Sequence, residues 1–456
     1  MSARAVCLTG ARLTFARVTL ARLTCAASVA LAATPAAVTW AQPAPLAARV
    51  TAAEGPVVMR FATRPAACGD GRDLIALGER LTINSSYHAT GGGGWARRTC
   101  VPGPAHVTLT VRGGAVREVR VRVGGRATAG DAVVGGEARD LGAVGAAAAA
   151  AYFVALAGRT SGRPAERAVM AAALADSAEV WQPLLAVARG HAEAPVARSA
   201  MHWLGAVAPP EAVPVVAGVL RDPGERRAVR EGAAVALTFV PGGAGVPALA
   251  AVARGMPAAV DPWVRDRAVF WLGNARDPRA RLTLRTLAAA DTTPEPVRAQ
   301  AIFALGHLDH DEEGDDGNAA FLRALYPRLA ATPLQDKVIQ SVAQAHDAAS
   351  RRWLLDLAAN AGQPLAARKQ ALFWAGQQEE LAIEELVAAD ARLTGAELRR
   401  HYTFVLSQRP EDAAVSRLIA IARADADRDV RRQAVFWLGQ SRNPRARAYL
   451  EAVVAR

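Results

Sequence analysis

The residues that could carry chemistry are few. Four cysteines occur, at positions 7, 25, 68 and 100, and the last two lie in one short region. A zinc site on Cys68 and Cys100 would need further ligands, and His88 and His106 supply them poorly. In an exported chain the pair is better read as a disulfide closing a long loop, worth about 3–4 kcal/mol by chain entropy. The acidic tract from Asp309 to Gly317 sets Asp309, Asp311, Glu313 and Gly314 at positions 1, 3, 5 and 6 of a calcium loop. Position 12 is Ala320, so the bidentate carboxylate is missing. A solvated loop between repeats is the plainer reading, with low-affinity calcium as its alternative. There is no G-x-S-x-G, no phosphate loop, and no spacing of Ser, His and Asp that singles out a triad. No catalytic residue and no cofactor is expected.

A second pattern is apolar. Ala268-Val269-Phe270-Trp271-Leu272-Gly273 returns as Ala434-Val435-Phe436-Trp437-Leu438-Gly439, and more loosely before Gly205, Gly306 and Gly376. These glycines are 68, 33, 70 and 63 residues apart, one or two units of roughly 31–35, and degenerate copies ending at Thr238, Ala343 and Ser407 fill the double gaps. Three positions before each closing residue stand Met170, His202, Val235, Phe270, Phe303, Gln340, Phe373, Phe404 and Phe436. That position is read as facing an inner groove, where repeated rings make a concave binding surface. The competing reading packs the rings between layers as core.

The elements that would position these rings follow from period and punctuation. Val264, Ala268, Val269, Trp271 and Leu272 keep the 3.6-residue spacing of an amphipathic helix. Gly273 marks a close backbone approach or a helix exit. Asp277-Pro278 then reads as an N-cap followed by a first-turn proline, and Asp222-Pro223 and Asn443-Pro444 repeat it. Each unit is thus two short antiparallel helices that can bury their apolar faces only by stacking.

The pattern V-R-x-x-A-A-x-A-L-G followed by D-P resembles the HEAT-like repeats named after the phycobilisome lyases. It is met at Val229-Arg230, Val264-Arg265, Val297-Arg298, Leu398-Arg399 and Val430-Arg431. The resemblance covers roughly residues 145–456 and implies an armadillo-type, right-handed α-solenoid of about nine helical pairs. It is a poor guide to function, because scaffolds, adaptors and a few enzymes share the repeat. Iron hydroxylases built on such repeats bind metal through His-Glu dipeptides, and none of the eight histidines here precedes a Glu. A lyase-like subunit stays as the alternative to a non-catalytic scaffold. Arginine recurs at the second motif position (Arg230, Arg265, Arg298, Arg368, Arg399, Arg431). Such a row could bind nucleic acid, but bracing of neighbouring helices is the plainer role. Arg265, Arg298 and Arg431 join His202 and the five Phe residues as the candidate groove set, with a protein or peptide as partner.

Composition narrows little else. The net charge is +12, but Arg4, Arg12, Arg17 and Arg22 lie in the first 41 residues, which hold no acid; removing them leaves +8. With only Lys337 and Lys369 against a large number of arginines, coding bias accounts for the basic balance and no nucleic-acid partner is expected. Residues 1–41 read as a signal peptide, with an apolar core from Leu23 to Ala33 and Thr39-Trp40-Ala41 before the cleavage point. The apolar run is short and interrupted by Pro35, so no membrane span is expected after cleavage, and the mature chain is placed in the periplasm or outside the cell.

Between leader and repeats the period changes to two. Residues 42–56 read as a flexible N-terminus and 57–125 as a small β-rich domain of no recognised family. In it Val107, Leu109 and Val111, a Gly113-Gly114 turn, then Val119, Val121 and Val123 make a hairpin. Residues 126–144 read as a linker, within which Asp140 caps the Ala-rich first helix of the 145–456 solenoid. The fold expected is mainly α: a signal peptide, a disulfide-pinned β-domain, then the solenoid. N-terminal sequencing of protein from the cell envelope should give a start near Gln42; an intact Met1 there would sink the export reading.

Overall fold

The computed structural model describes residues 45–72, 74–78, 81–83, 100–124, 138–256, 260–307, 317–330 and 332–455. Residues 1–41, read above as a signal peptide, His88, glycines 91 to 94 and the calcium candidates Asp309, Asp311 and Glu313 lie outside the described residues. From Pro45 on, the chain forms one compact unit.

The hairpin stands where alternation puts it. Strands β6 (Ala105–Arg112) and β7 (Ala115–Val123) pair antiparallel around Gly113 and Gly114. Both glycines have positive φ, 57° and 69°, as a two-residue hairpin turn of matching twist requires. With β1 (Gly55–Phe61) and β8 (Arg139–Ala143) they form a sheet of order β7-β6-β1-β8. A second sheet, β4-β3-β2-β5, joins β2 (Ala67–Gly69), β3 (Ile75–Leu77), β4 (Leu81–Ile83) and β5 (Val101–Pro102). The Cys68–Cys100 disulfide is formed and ties β2 to the start of β5.

Three local readings change. Part of the flexible N-terminus is helix α1 (Leu46–Thr51), because Val50 is wholly buried and Arg49 donates to the Leu141 carbonyl at 3.1 Å. Part of the linker is strand β8, which pairs parallel with β1. Asp140 therefore lies in a strand, accepting from the Gly142 N–H at 2.6 Å, and does not cap the first solenoid helix. That helix, α2 (Ala146–Arg159), starts after Gly145 with no side-chain cap.

Eighteen further helices complete the chain among the described residues. Nine second helices run α3 (Gly162–Leu174), α5 (Ala194–Val207), α7 (Arg227–Phe239), α9 (Pro262–Leu272), α11 (Glu295–His307), α13 (Thr332–Ala343), α15 (Leu365–Gly376), α17 (Ala396–Ser407) and α19 (Arg428–Gln440). The first helices of the later pairs are α4 (Trp181–Gly190), α6 (Val213–Arg221), α8 (Val246–Ala253), α10 (Pro278–Ala289), α12 (Asn318–Leu325), α14 (Ala348–Ala359), α16 (Ile383–Ala389) and α18 (Asp412–Ala424), and α20 (Pro444–Val454) comes after the ninth pair. Asp277 and Asn443 cap α10 and α20 through the Arg279 and Arg445 N–H groups. Asp222-Pro223 does not repeat this: Asp222 ends α6 and turns the chain by accepting from the Gly224 N–H.

Successive second helices lie against each other more extensively than successive first helices do, which makes them the short, inner side of the stack. The recurrent glycines permit that approach. A Cβ on Gly205 would fall 2.5 Å from Ala236 Cα, and one on Gly306 2.5 Å from Ser341 Cβ. Gly273 meets Ala304 and Gly376 meets Val405 in the same way, whereas Gly439, in the last second helix, has open space.

The β-region is continuous with the stack. Phe61 packs on Phe153 with ring centroids 6.0 Å apart, and the Arg64 and Asp176 N–H groups bond to Leu174 and Ala62 across the junction. The β7-β6-β1-β8 sheet and the segment after β1 thus cover the first layer, as a solenoid's end requires.

The glycines give a paired test. Gly306→Ala should lose roughly 1–3 kcal/mol by overpacking, while Gly439→Ala should gain roughly 0.5 kcal/mol from reduced chain entropy. Urea midpoints report both, and equal shifts would contradict the layer contact described.

Candidate binding face

The inner face follows from helix phase. Counting back from each glycine at about 100° per residue, the residue four before it points to the next layer, and Val269, Ile302 and Leu372 there are wholly buried. The residue three before points about 60° the other way, toward the rim of that contact. Here stand the ladder positions, and His202, Phe270, Phe303, Phe373 and Phe404 are all half-buried, while Phe436 is 52% exposed. They are neither freely exposed nor interlayer core.

The following position carries Trp271, Trp374 and Trp437, also half-buried, leaning toward the previous layer. A ring of one layer thus meets an indole of the next: Phe404 and Trp437 have centroids 5.4 Å apart. Phe373 stacks parallel on Phe404 at 6.4 Å.

Between the two aromatic rows runs a polar one that the sequence reading overlooked. Six residues before each closing position stand Arg267, Gln300, Lys337, Gln370, His401 and Gln433, all half-buried. Arg267 lies over Phe270 at 5.3 Å and Lys337 over Phe303 at 5.7 Å. Gln370 donates to the Asp336 carbonyl at 3.2 Å, and the His401 ring nitrogen lies 3.0 Å from the Lys369 carbonyl oxygen. Burial, with the Lys369 charge nearby, holds the His401 imidazole below its usual range. The signal for this row was present as a polar residue three positions ahead of the ladder position, just before Ala268, Ala301, Val338, Ala371, Tyr402 and Ala434.

The motif arginines take the bracing role. Arg230, Arg265, Arg298 and Arg368 each donate Nε–H to a carbonyl at the end of the preceding helix (Leu220, Ala253, Ala288 and Ala358) at 2.8–3.2 Å. Arg431 donates to the Asp425 and Ala426 carbonyls, and Arg399 to the Asp425 carboxylate. Arg265, Arg298 and Arg431 are therefore turned to helix ends, away from the aromatic rows. Among the described residues no three His, Cys, Asp or Glu side chains gather as a metal site would need, and no helix is long and apolar enough to cross a membrane.

The family model described as PBS lyase HEAT-like repeat matches residues 430–456, a stretch that takes in most of α19 and all of α20. The structure of human deoxyhypusine hydroxylase in complex with glycerol is similar at 20% identity, over 53% of this chain and 89% of that one, with a TM-score of 0.25. A comparison with curated proteins gives no match.

His202 offers a test of burial on this face. Its ring lies 5.0 Å from Phe239, and burial pushes its pKa down to about 4. Below the ordinary value of 6.5 the unfolded chain takes up a proton that the folded chain refuses, so stability falls as pH drops from 6.5 toward 4. Between about pH 7 and pH 4.5 this amounts to about 2–3 kcal/mol. His202→Gln should remove that part of the acid loss of stability, read from urea midpoints at the two pH values; an unchanged loss would show the imidazole to be solvated.

Proposed function

We propose that this chain, built of HEAT-like repeats, is an exported, non-catalytic scaffold that holds an extended segment of a partner protein along its inner face. The observation that carries the reading is the polar row from Arg267 to Gln433, with Phe270, Phe303, Phe373, Phe404 and Phe436 along one side and half-buried Trp271, Trp374 and Trp437 on the other side of α9, α15 and α19. Amide, imidazole and cationic groups repeated once per layer suit the N–H and C=O groups of an extended backbone. Rings on either side offer shallow pockets for its alternate side chains. The peptide contacts fall to Arg267, Lys337, Gln370 and His401, because the motif arginines are bound to their own helix ends. That same bracing favours a peptide over nucleic acid, which would require those guanidiniums on one open face. The Cys68–Cys100 bridge supports an oxidising compartment and hence export.

A photo-crosslinking residue at Phe373 should capture a partner in the cell envelope, whereas one at Leu282, 66% exposed on first helix α10, should not. Phe303→Ser with Phe373→Ser should abolish capture at Phe404. Each change should cost roughly 1–2 kcal/mol, less than a core ring would. Capture from Leu282 as strong as from Phe373 would overturn the assignment of the inner face.

A further inference from the structure

One unit of the stack occurs twice, once in the interior and once at the end. Residues 264–288 and 430–454 match at a constant offset, from Val264-Arg265 and Val430-Arg431 through the closing glycines to Pro278 and Pro444. In the interior unit α11 lies across both α9 and α10, and Val269, Leu284, Leu287 and Ala288 are buried. Among the described residues nothing of that extent lies across α19 and α20. The matching Val435, Val453 and Val454 are 36%, 48% and 87% exposed, and Leu450 is half-buried. The end face therefore keeps the apolar side chains that the interior unit buries under its next layer.

Two charges of opposite sign stand among them, at positions that reach forward elsewhere in the stack. Arg432 is seven residues before its closing glycine, as Lys369 is, and Lys369 extends to Glu397 of the next layer at 2.6 Å. Glu451 matches Arg285, which donates to the Asn318 carbonyl oxygen of the next layer at 2.7 Å. On the end face each is paired within its own helix, Arg432 with Asp429 at 3.0 Å and Glu451 with Arg447 at 2.9 Å. All four side chains of these pairs are more than half exposed, and such pairs contribute little and exchange partners readily.

A covering helix that continues the stack runs as α11 does over the interior unit, parallel to the second helix and antiparallel to the first. A two-fold axis along the helices supplies one from a second copy, laying each copy's α19 on the other's α20. The levels agree. Counted back from the ends of the helices at Gln440 and Pro444, Arg432 and Glu451 are eight and seven residues in, and Val435 and Leu450 five and six. Arg432 then meets Glu451 of the partner subunit and Val435 meets Leu450 of the partner subunit, each contact occurring twice. Head-to-tail growth is closed off, because the β7-β6-β1-β8 sheet covers the first layer. We infer that this chain forms a closed two-fold dimer through its α19–α20 end, with Val435, Leu450 and Val454 at the centre of the contact and the Arg432–Glu451 pairs fixing its register.

The test is sedimentation of the full chain from about 1 to about 200 µM, which should show a reversible monomer–dimer equilibrium. Val435→Asp should weaken it by roughly ten-fold or more, with an unchanged far-UV spectrum. Arg432→Glu and Glu451→Arg should each weaken it by roughly ten-fold, because each sets like charges opposite one another twice. An equimolar mixture of those two variants should associate as the unaltered chain does, since each copy then supplies the charge that the other needs. Leu282→Asp, at a residue 66% exposed on α10, should leave the equilibrium unchanged. A monomer at every concentration would leave the face to a different protein and overturn the proposal. So would a mixture that associates as weakly as its components, or equal weakening by Leu282→Asp.

Discussion

The structure depends on backbones meeting closely where one second helix crosses the next. At Gly205, Gly273, Gly306 and Gly376 the facing atoms are a backbone or a small side chain of the following layer, so close that even a methyl group does not fit. Dispersion contacts are short-ranged, and a helix pair has too little apolar surface to fold alone. The approach therefore lets each layer bury its neighbour's Val, Ile or Leu completely. Residue phase around the glycine then fixes everything else on the helix.

That phase explains why the inner face is half-buried along its length. A ring three positions before the glycine cannot enter the contact and cannot leave it, so it covers the rim. The tryptophan after it does the same on the opposite side. Polar residues fill the strip between, where solvent and the flanking rings both reach them. The motif arginines serve a different need. The last carbonyls of a first helix lack helical partners, and in α6, α8, α10 and α14 a guanidinium donated from the second helix satisfies one of them.

The two ends of the stack are unlike. At the N-terminal end the sheets lay Phe61 on Phe153 and tie Arg64 to Ala173, so the first layer's apolar side is covered and the β-region shares one core with the helices. At α19 the equivalent position, Val435, is 36% exposed where Val269, Ile302 and Leu372 in earlier layers are fully buried. The β-region is thus a structural cap.

Much of this was legible in the sequence because it is periodic. A repeat of roughly 31–35 residues forces stacking whatever the details, since each unit leaves an apolar stripe that only another copy can cover. Alternation with Gly113-Gly114 fixed the hairpin for the same reason: the pattern is local and the geometry follows from it. Two cysteines beyond residue 41, both in one region, left a single pairing. What tertiary structure decided is whatever lies within about 60° of a contact. Whether Phe270 is core or surface turns on where the next helix crosses, and one residue of phase separates the two. Strand β8 was unreadable because Arg139-Asp140-Leu141-Gly142-Ala143 has almost no apolar alternation and owes its conformation to pairing with β1.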